Sequence, residues 1–282
     1  GLVVDYYPPF CVVQFLATGM EKRREDILDV LKRKTGLNNI FERSDGNICR
    51  YEGLPERRGL IAGDAPPEHH QIEENGFQFC IDIERGHKTG YYLDQSQNRN
   101  RAAELAQPGR VLDTFCYTGA LGIHAARNGA EVIAIDESAA SLQLASKNAA
   151  LNGLDENRYR TLKASAVQAM RGMLDDGERF ETVILDPPKF AHSRPDLEAA
   201  ERGYREVNRL GLQLVAPDGL LFTCSCSGAV SVEMFEELLH SAAYDAGRDV
   251  AVLEIRGQSA DHPVTLACPE SRYLKCFVCR VS

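Results

Sequence analysis

One stretch, from Arg110 to Asp136, constrains the fold of this chain more than any other. It reads RVLDTFCYTGALGIHAARNGAEVIAID: an apolar run ending in Asp113, a turn containing Gly119, a helical pattern, and a second apolar run ending in Asp136. Short apolar runs on either side of a helical pattern indicate a strand, a helix and a second strand. The stretch therefore predicts one βαβ unit of a parallel sheet.

The acids and the turn of this unit indicate a nucleoside ligand. Asp136 follows Asp113 by 23 residues, and in nucleotide-binding sheets an acid about 20 residues on accepts hydrogen bonds from ribose hydroxyls. The turn lacks the glycine-rich fingerprint that cradles a pyrophosphate, and holds one glycine beside Phe115 and Tyr117. A nucleoside without phosphates fits better, and S-adenosylmethionine is the leading ligand. On this stretch alone, a purely structural βαβ unit is the alternative.

Composition is that of an ordinary soluble globular protein. Of 282 residues, 44% are hydrophobic and 26% charged, which is enough for about two domains with a sizeable core. Nine cysteines fit thiols in a reducing cytosol better than a disulfide framework. The chain has no apolar run that could span a bilayer and no signal peptide. We therefore expect a cytoplasmic protein without a membrane anchor, whose natural N-terminus lies upstream.

The net charge of −9 argues against bulk electrostatic binding of nucleic acid, because such binding depends on neutralising phosphates. Two local basic patches remain, one on or beside a predicted helix and one further on. Their residues are Lys22, Arg23, Arg24, Lys32, Arg33 and Lys34, and then Arg85, His87 and Lys88. Charged helix faces are usually solvated surface. Any nucleic-acid contact is therefore expected to be local, or to belong to a domain outside this chain.

The chain divides into three parts. Residues 1–70 predict a small α/β domain, and residues 71–94 predict a β-hairpin turning at Asn75-Gly76. Within the first part, residues 52–70 are rich in Pro, Gly and charge, and are expected to be a linker. The elements expected there are a strand at 12–16, a helix at 20–34 with Ile27, Leu28 and Leu31 on one face, and a strand at 39–43.

Strands and helices alternate through residues 95–282, with Ser138 as the cap of one helix. This alternation predicts an α/β fold with a doubly wound, parallel sheet. Ligands of such sheets bind where the strands end. Four polar or reactive groups fall there, which weighs against a purely structural reading: Asp113, Asp136, Asp186 and Cys224-Ser225-Cys226.

Two of these strand ends carry residues suited to methyl transfer. In Asp186-Pro187-Pro188 the prolines restrict the backbone, so the loop can hold a flat base with the carboxylate at its edge. Similar Asp/Asn-Pro-Pro loops serve methyltransferases of amino nitrogens, and a loop merely turned by two prolines is the structural alternative.

The cysteine run favours carbon as the methyl acceptor. An amino nitrogen needs no enzyme nucleophile, whereas carbon 5 of a pyrimidine reacts only after a thiolate adds at carbon 6. Alternation places Cys224 and Cys226 on one side, with Cys226 just past the strand end. A structural, buried cysteine is the alternative, and it suits Cys224 better than Cys226.

Several motifs together resemble the RlmI-type 23S ribosomal RNA 5-methylcytosine methyltransferases. They are GHKTGYYLDQSQNR, VLDTFCYTGALG, VILDPPKF, FTCSCSGAV and DHPV…PESRYLKCFVCRV, and the likeness covers essentially the whole chain. The resemblance implies a Rossmann-like class I methyltransferase domain after a small α/β domain, with S-adenosylmethionine as cofactor and 23S ribosomal RNA as partner. It also implies an N-terminal PUA domain that this chain lacks, and it leaves a homodimer open.

The resemblance also implies roles for individual residues. Asp113, Phe115, Tyr117 and Gly119 would line the methionine end of the cofactor, Asp136 would hold the ribose, and Gln95 and Ser165 would complete the cofactor site. Ser165 stands where the family often has an acid near the adenine, so the adenine assignment is the weakest. Asp186 would face the cytosine and Cys226 would be the nucleophile. Asp186 and Glu270 are candidates for the base that removes the carbon-5 proton.

Two rival functions stay open. An amino-nitrogen methyltransferase with the same Asp-Pro-Pro loop would not need Cys226. A non-catalytic RNA- or ribosome-binding module, motivated by Ser165, would not bind S-adenosylmethionine. Cys276-x-x-Cys279 resembles half of a zinc site, but residues three apart on a strand face opposite sides and no second pair has metal spacing. We interpret that pair as structural and expect no metal.

Overall fold

The computed structural model describes residues 1–190 and 197–282. The chain forms two compact units. The first comprises Gly1–Glu74 and Gln78–Tyr92, and the second comprises Asn75–Phe77 and Leu93–Ser282. Among the described residues, no helix combines the length and the apolar character needed to cross a membrane.

The first unit is built on a four-stranded sheet. Its elements are β1 (Leu2–Tyr7), β2 (Phe10–Phe15), α1 (Thr18–Glu21), α2 (Arg24–Thr35), β3 (Asn39–Ser44), α3 (Asn47–Tyr51) and β4 (Arg57–Ala62). The strands lie in the order β1-β2-β3-β4. The central pair, β2 and β3, is parallel, and the two outer pairs are antiparallel.

Helix α2 confirms the apolar face predicted for this region. Leu28 is buried in a cluster with Val13 and Phe15 of β2, and Ile27 and Leu31 pack against that cluster. The predicted single helix is wrong at its start, because the chain forms the short α1 before α2. The helix ends where Gly36 adopts φ +69°, a left-handed conformation that glycine reaches without strain.

The prediction of a linker over residues 52–70 is wrong in its middle. Residues 57–62 form β4, which pairs antiparallel with β3. Strand β4 lies at the edge of the sheet, and most of its side chains are exposed or half-buried. Charged side chains such as Arg57 and Arg58 are common on edge strands, where they prevent pairing with other chains. Such a strand has the composition of a linker.

The predicted hairpin is confirmed. Strands β5 (His70–Glu74) and β6 (Phe77–Ile81) form a two-stranded sheet. The two residues between them, Asn75 and Gly76, have φ values of +53° and +81°. Positive φ at both positions is the geometry of the type I′ turn that an Asn-Gly pair favours.

The second unit carries the larger sheet. After a 3₁₀ turn at Leu93–Gln95, its elements are α4 (Ser96–Leu105), β7 (Arg110–Thr114), α5 (Ala120–Ala125), β8 (Glu131–Asp136), α6 (Ala139–Leu151), β9 (Tyr159–Lys163), α7 (Ala166–Asp175), β10 (Phe180–Leu185), α8 (Leu197–Leu214), β11 (Val215–Ser225), α9 (Val232–Ala246), β12 (Val250–Arg256) and β13 (Lys275–Val281).

Its strand order, β12-β13-β11-β10-β7-β8-β9, confirms the predicted Rossmann-like α/β fold. Neighbouring strands from β11 to β9 are parallel, so their carboxyl ends share one edge of the sheet. Strand β13 runs antiparallel to both β11 and β12, a direction for which the sequence analysis made no prediction. In consequence the first residue of β13, Lys275, lies opposite Ser225 at the end of β11.

One face of this sheet is covered by α7, α8 and α9. Their apolar sides, including Met170, Leu210 and Phe235, form a single buried cluster with strand residues such as Val183 and Leu221. Each fully buried side chain of this size stabilises the fold by about 1.5–3 kcal/mol. The sheet is therefore a rigid support for the loops at its edge.

Candidate active site at the carboxyl edge of the sheet

The turn after β7 has an unusual backbone. Phe115 and Tyr117 have φ values of +58° and +48°, and Gly119 has +79°. Positive φ at bulky residues is uncommon, and such strained positions cluster at ligand-binding turns. The Cys116 N–H donates to the Ile135 carbonyl of β8 at 3.0 Å. The turn is thereby fixed to the next strand and presents a defined concave backbone.

Gly119 is required by space as well as by conformation. A Cβ at this position would lie 2.2 Å from Tyr159 Oη and 3.0 Å from the Ala145 Cβ. Gly119 also caps the N-terminus of α5. Only glycine satisfies both conditions, so the conformation of this turn requires the glycine that the sequence analysis singled out.

Asp113 lies beneath the turn. Its Oδ2 accepts a hydrogen bond from the Gly122 N–H at 2.9 Å, and a Cβ on Gly122 would lie 2.7 Å from that oxygen. Burial, with a smaller contribution from Asp186 and Asp136, raises the pKa of Asp113 to about 7. Its Oδ1 is buried, and no described residue gives it a hydrogen bond. Sequence reasoning missed Gly122, although the second glycine of YTGALG was a signal for it.

Asp136 accepts hydrogen bonds from two turns, the one after β7 and the one after β8. One carboxylate oxygen accepts from the Tyr117 N–H at 3.0 Å and the other from the Ser138 N–H at 2.8 Å. Ser138 caps α6 as predicted, because its hydroxyl accepts from the Ser141 N–H at 3.2 Å. Asp136 is half-buried, and each carboxylate oxygen can accept a second hydrogen bond. The carboxylate can therefore still bind a ribose hydroxyl.

Gln95 lies against Asp186. Its Nε2 donates to Asp186 Oδ2 at 3.0 Å, while its Oε1 accepts from Asn98 Nδ2 at 2.7 Å. Asn98 Oδ1 in turn accepts from Arg256 Nε at 3.0 Å. The chain of donors runs in one direction, toward the carboxylate at the end of β10, and fixes its orientation. Sequence reasoning missed Asn98, although it stands in the GHKTGYYLDQSQNR motif, and Arg256, which carries no local motif.

The two cysteines at the end of β11 differ in their surroundings. Cys224 is buried opposite Cys276 of β13, and the Cys276 thiol together with burial raises the pKa of Cys224 well above its ordinary value. Cys226 is half-buried. Cys224 therefore suits the structural alternative considered above, whereas the Cys226 thiol can meet a ligand.

The loop that holds Cys226 is braced by a buried tyrosine. The hydroxyl of Tyr204, on α8, hydrogen-bonds the Ser225 hydroxyl at 3.0 Å and the Ser227 hydroxyl at 3.1 Å. Burial raises the pKa of Tyr204, so this phenol stays protonated. The residues on both sides of Cys226 are thus fixed from the same helix.

Lys275 is a further residue of this edge that sequence reasoning missed. It is 1% exposed, and its Nζ donates to the carbonyls of Ser227 at 2.6 Å and Tyr273 at 3.0 Å. Burial lowers the pKa of Lys275 to about 8. A lysine that opens a mostly apolar strand, KCFVCRV, was the available signal.

The remaining candidates lie apart from this cluster or lack a partner in it. Ser165 is half-buried at the N-cap position of α7, without a capping hydrogen bond from its side chain. Glu270 is exposed, and its carboxylate accepts from the Cys268 thiol at 3.6 Å. Cys276 and Cys279 are both buried in β13. Within 1–190 and 197–282, no group of three or more His, Cys, Asp or Glu side chains could hold a metal.

The first basic patch is partly neutralised. Arg24 is ion-paired with Glu21 at 3.0 Å and with Glu42, so it contributes little positive charge to the surface of the first unit. In the second patch, the Lys88 ammonium lies 4.5 Å from the centre of the Tyr92 ring.

Comparison with known proteins identifies relatives of the whole chain. A family model described as S-adenosylmethionine-dependent methyltransferase matches residues 50–257. A ribosomal RNA large subunit methyltransferase I from Aeromonas salmonicida is 44% identical over 281 residues, which cover 99% of this chain and 71% of that protein.

Solved structures share the fold. A protein from Streptococcus mutans, provisionally assigned as a SAM-dependent methyltransferase, superimposes with a TM-score of 0.86 at 22% identity. Another provisionally assigned methyltransferase, complexed with SAH, gives a TM-score of 0.87 at 22% identity. Each match covers 99% of this chain and 71% of the other.

Proposed function

The chain belongs to the S-adenosylmethionine-dependent methyltransferases, among the relatives of ribosomal RNA large subunit methyltransferase I, and on this premise we propose that it methylates carbon 5 of a cytosine in 23S ribosomal RNA. The observation that carries the proposal is the accessible Cys226 thiol next to the end of β11, on the edge of the sheet where Asp186 ends β10. Family membership supports the cofactor and the ribosomal RNA, and Cys226 supports the choice of carbon.

The residues of the turn after β7 fit the cofactor. When bound, S-adenosylmethionine supplies the methyl group. Gly119 gives the turn its left-handed backbone at φ +79°, and Asp113 Oδ1 is a buried acceptor for which no described residue supplies a donor. Asp136 would hold the ribose hydroxyls, and Phe115 and Tyr117 would line the same pocket. Ser165 would face the adenine, where its hydroxyl can donate or accept.

Cys226 and Asp186 would act on the cytosine. The Cys226 thiolate adds to carbon 6, forming a carbon–sulfur bond, and the electron pair of the ring double bond moves to carbon 5. Carbon 5 uses this electron pair to take the methyl group, and the bond from that methyl group to the donor sulfur breaks with its electrons left on the sulfur. A base removes the carbon-5 proton, the double bond forms again, and the carbon–sulfur bond breaks to release the thiolate.

Asp186 would bind the N3/N4 edge of the base. The donor chain through Gln95 keeps its Oδ2 in the role of acceptor. Asp186 is also the better candidate for the proton-removing base, because Glu270 is exposed on a 3₁₀ turn and already contacts Cys268.

A trapping experiment tests reaction, base and nucleophile together. The chain is incubated with S-adenosylmethionine and ribosomal RNA containing 5-fluorocytosine, and denaturing gels are used to detect a protein–RNA adduct. Fluorine cannot leave as a proton does, so a carbon-5 enzyme stalls while covalently attached. We expect an adduct that disappears in Cys226→Ala, while calorimetry shows that cofactor binding remains.

The matched control is Cys268→Ser, which removes the exposed cysteine and should leave the adduct intact. Undiminished methyl transfer to unmodified RNA by Cys226→Ala would overturn the proposed nucleophile. It would favour the amino-nitrogen reaction that the Asp-Pro-Pro loop also allows. Failure of the chain to bind S-adenosylmethionine would instead favour a non-catalytic module.

A further inference from the structure

Lys275 is a buried cation without a carboxylate partner among the described residues. Among the described residues, its Nζ donates only to two backbone carbonyls, those of Ser227 and Tyr273, and it is 1% exposed. Burying an ammonium group is costly unless an anion or several dipoles compensate for the lost water. Since its pKa of about 8 still lies above neutrality, Lys275 is mainly protonated at pH 7. The two carbonyl dipoles offset part of this cost, and an anion nearby would offset more.

The geometry of β13 identifies that counter-ion. Because β13 is reversed, Lys275 lies opposite Ser225, and its ammonium reaches the carbonyl of Ser227 at 2.6 Å. Cys226 is the residue between these two. Cys226 also acts electrostatically on Lys275 in the direction that favours the ammonium form. Such an interaction is mutual, so the ammonium favours the thiolate of Cys226 to the same extent.

We propose that Lys275 is the buried counter-ion of the Cys226 thiolate and keeps the nucleophile charged before the RNA binds. Lys275 acts through Cys226 and is a positioning residue, with no contact to the reacting carbon. The inference rests on the proposed function only for the role of Cys226 as nucleophile. The charge pairing itself can be measured without RNA or cofactor.

Other titratable groups near Cys226 have weaker or opposite effects. Lys189, in the Asp-Pro-Pro loop, also acts on Lys275 but is exposed, so water and salt screen its charge. Tyr204 acts on Cys226 as a neutral phenol, since burial raises its pKa. Asp186 is an acid of the same edge and would oppose a thiolate. Lys275 is the cation held in the low-dielectric interior, where charge interactions are strongest.

Alkylation of Cys226 measures the proposal directly. In a Cys268→Ser background, Cys226 is the cysteine that is not buried, and its reaction with iodoacetamide is followed by mass spectrometry from pH 5 to 10. We expect Lys275→Met and Lys275→Gln to raise the pH midpoint of alkylation by about 1 unit or more. The rate at pH 7 should fall by about tenfold. The control Lys147→Met removes an exposed lysine of α6 and should change neither.

An unchanged midpoint in folded Lys275 variants would overturn the proposal and leave Lys275 as a brace for the Ser227 carbonyl. Circular dichroism checks folding, and glutamine can still donate to carbonyls if methionine disrupts the loop. A midpoint in the unsubstituted chain at or above about 8.5, the ordinary thiol value, would overturn it even if both variants unfold. A low midpoint with no 5-fluorocytosine adduct would count against carbon-5 methylation alone, so the two proposals can fail separately.

Discussion

The two halves of the sheet edge are built in different ways. On the side of β7 and β8, carboxylates accept hydrogen bonds from backbone N–H groups. Asp113 accepts from the Gly122 N–H, and Asp136 accepts from those of Tyr117 and Ser138. On the side of β10, β11 and β13, side chains bind side chains or reach across strands. Examples are Gln95 with Asp186, Asn98 with Gln95, and Lys275 with the Ser227 carbonyl.

The first side depends mainly on backbone conformation, and the second mainly on the placement of charged and reactive side chains. The first side comes almost entirely from one continuous stretch, and its function depends on a backbone held in uncommon conformations. The second side is assembled from segments far apart in the chain, and in the proposed mechanism it depends on a carboxylate, a thiol and an ammonium. Substitutions on the first side should therefore affect folding and cofactor affinity, and those on the second side the rate of transfer.

The largest effect is expected from Gly119→Ala. The alanine must adopt φ +79°, which costs about 1–2 kcal/mol, and its Cβ would overlap Tyr159 and Ala145, adding about 1–3 kcal/mol. Urea denaturation should show this loss of unfolding free energy. Gly129→Ala is the control, because Gly129 has φ +94° with open space around the added Cβ. Equal losses in the two variants would contradict the steric part of the argument.

An intermediate effect should separate the two sides. In Asp136→Asn, the amide nitrogen would face a backbone N–H from which the carboxylate accepts a hydrogen bond. The affinity for S-adenosylmethionine should therefore fall by about tenfold, as expected for one lost hydrogen bond.

Gln95→Leu should leave the affinity for S-adenosylmethionine within about twofold. It should lower single-turnover methyl transfer by about tenfold, because Asp186 loses its hydrogen-bond donor. Calorimetry and single-turnover assays distinguish these results. A loss of cofactor affinity in Gln95→Leu would support the place in the cofactor site that the family resemblance implies for Gln95.

The last comparison concerns pH. Because burial raises the pKa of Asp113 from 3.8 to about 7, the folded chain holds a proton that the unfolded chain releases above about pH 4. Asp113 therefore lowers stability progressively as pH rises from 4 to 7. Urea denaturation gives the difference in unfolding free energy between Asp113→Asn and the unsubstituted chain. This difference should favour the variant more at pH 7.5 than at pH 5. Asp175→Asn, an exposed acid of α7, should show no such difference. An Asp113→Asn profile parallel to that of the unsubstituted chain would contradict the buried, protonated acid.

The side built from backbone could be predicted from sequence because its signals are local. The spacing of Asp113, Gly119 and Asp136 falls within one βαβ unit, and the strand ends were found from apolar runs. The side built from side chains could be predicted only in part. Asp186 and Cys226 stand in recognisable runs, whereas the contact of Gln95 with Asp186 joins residues 91 positions apart.

Two features escaped the sequence analysis for one physical reason, which is that strand direction and strand pairing are set by the whole sheet. The reversal of β13 brings Lys275 to the site, and no local pattern distinguishes a parallel from an antiparallel strand of this composition. Edge strand β4 was not predicted, because its side chains are exposed or half-buried and some are charged. Hydrophobic periodicity is weak where only part of a strand is buried.

The position of β13 between β11 and β12 also has a consequence for synthesis on the ribosome. All the other strands of this sheet precede it in the chain, so β12 has no partner in the sheet until residues 275–281 emerge. In the proposed pairing, Cys226 is translated before its counter-ion Lys275. A nascent chain would thus form the turn after β7 before it acquires a reactive thiolate, so that the proposed reactivity toward RNA would be deferred until the sheet is complete.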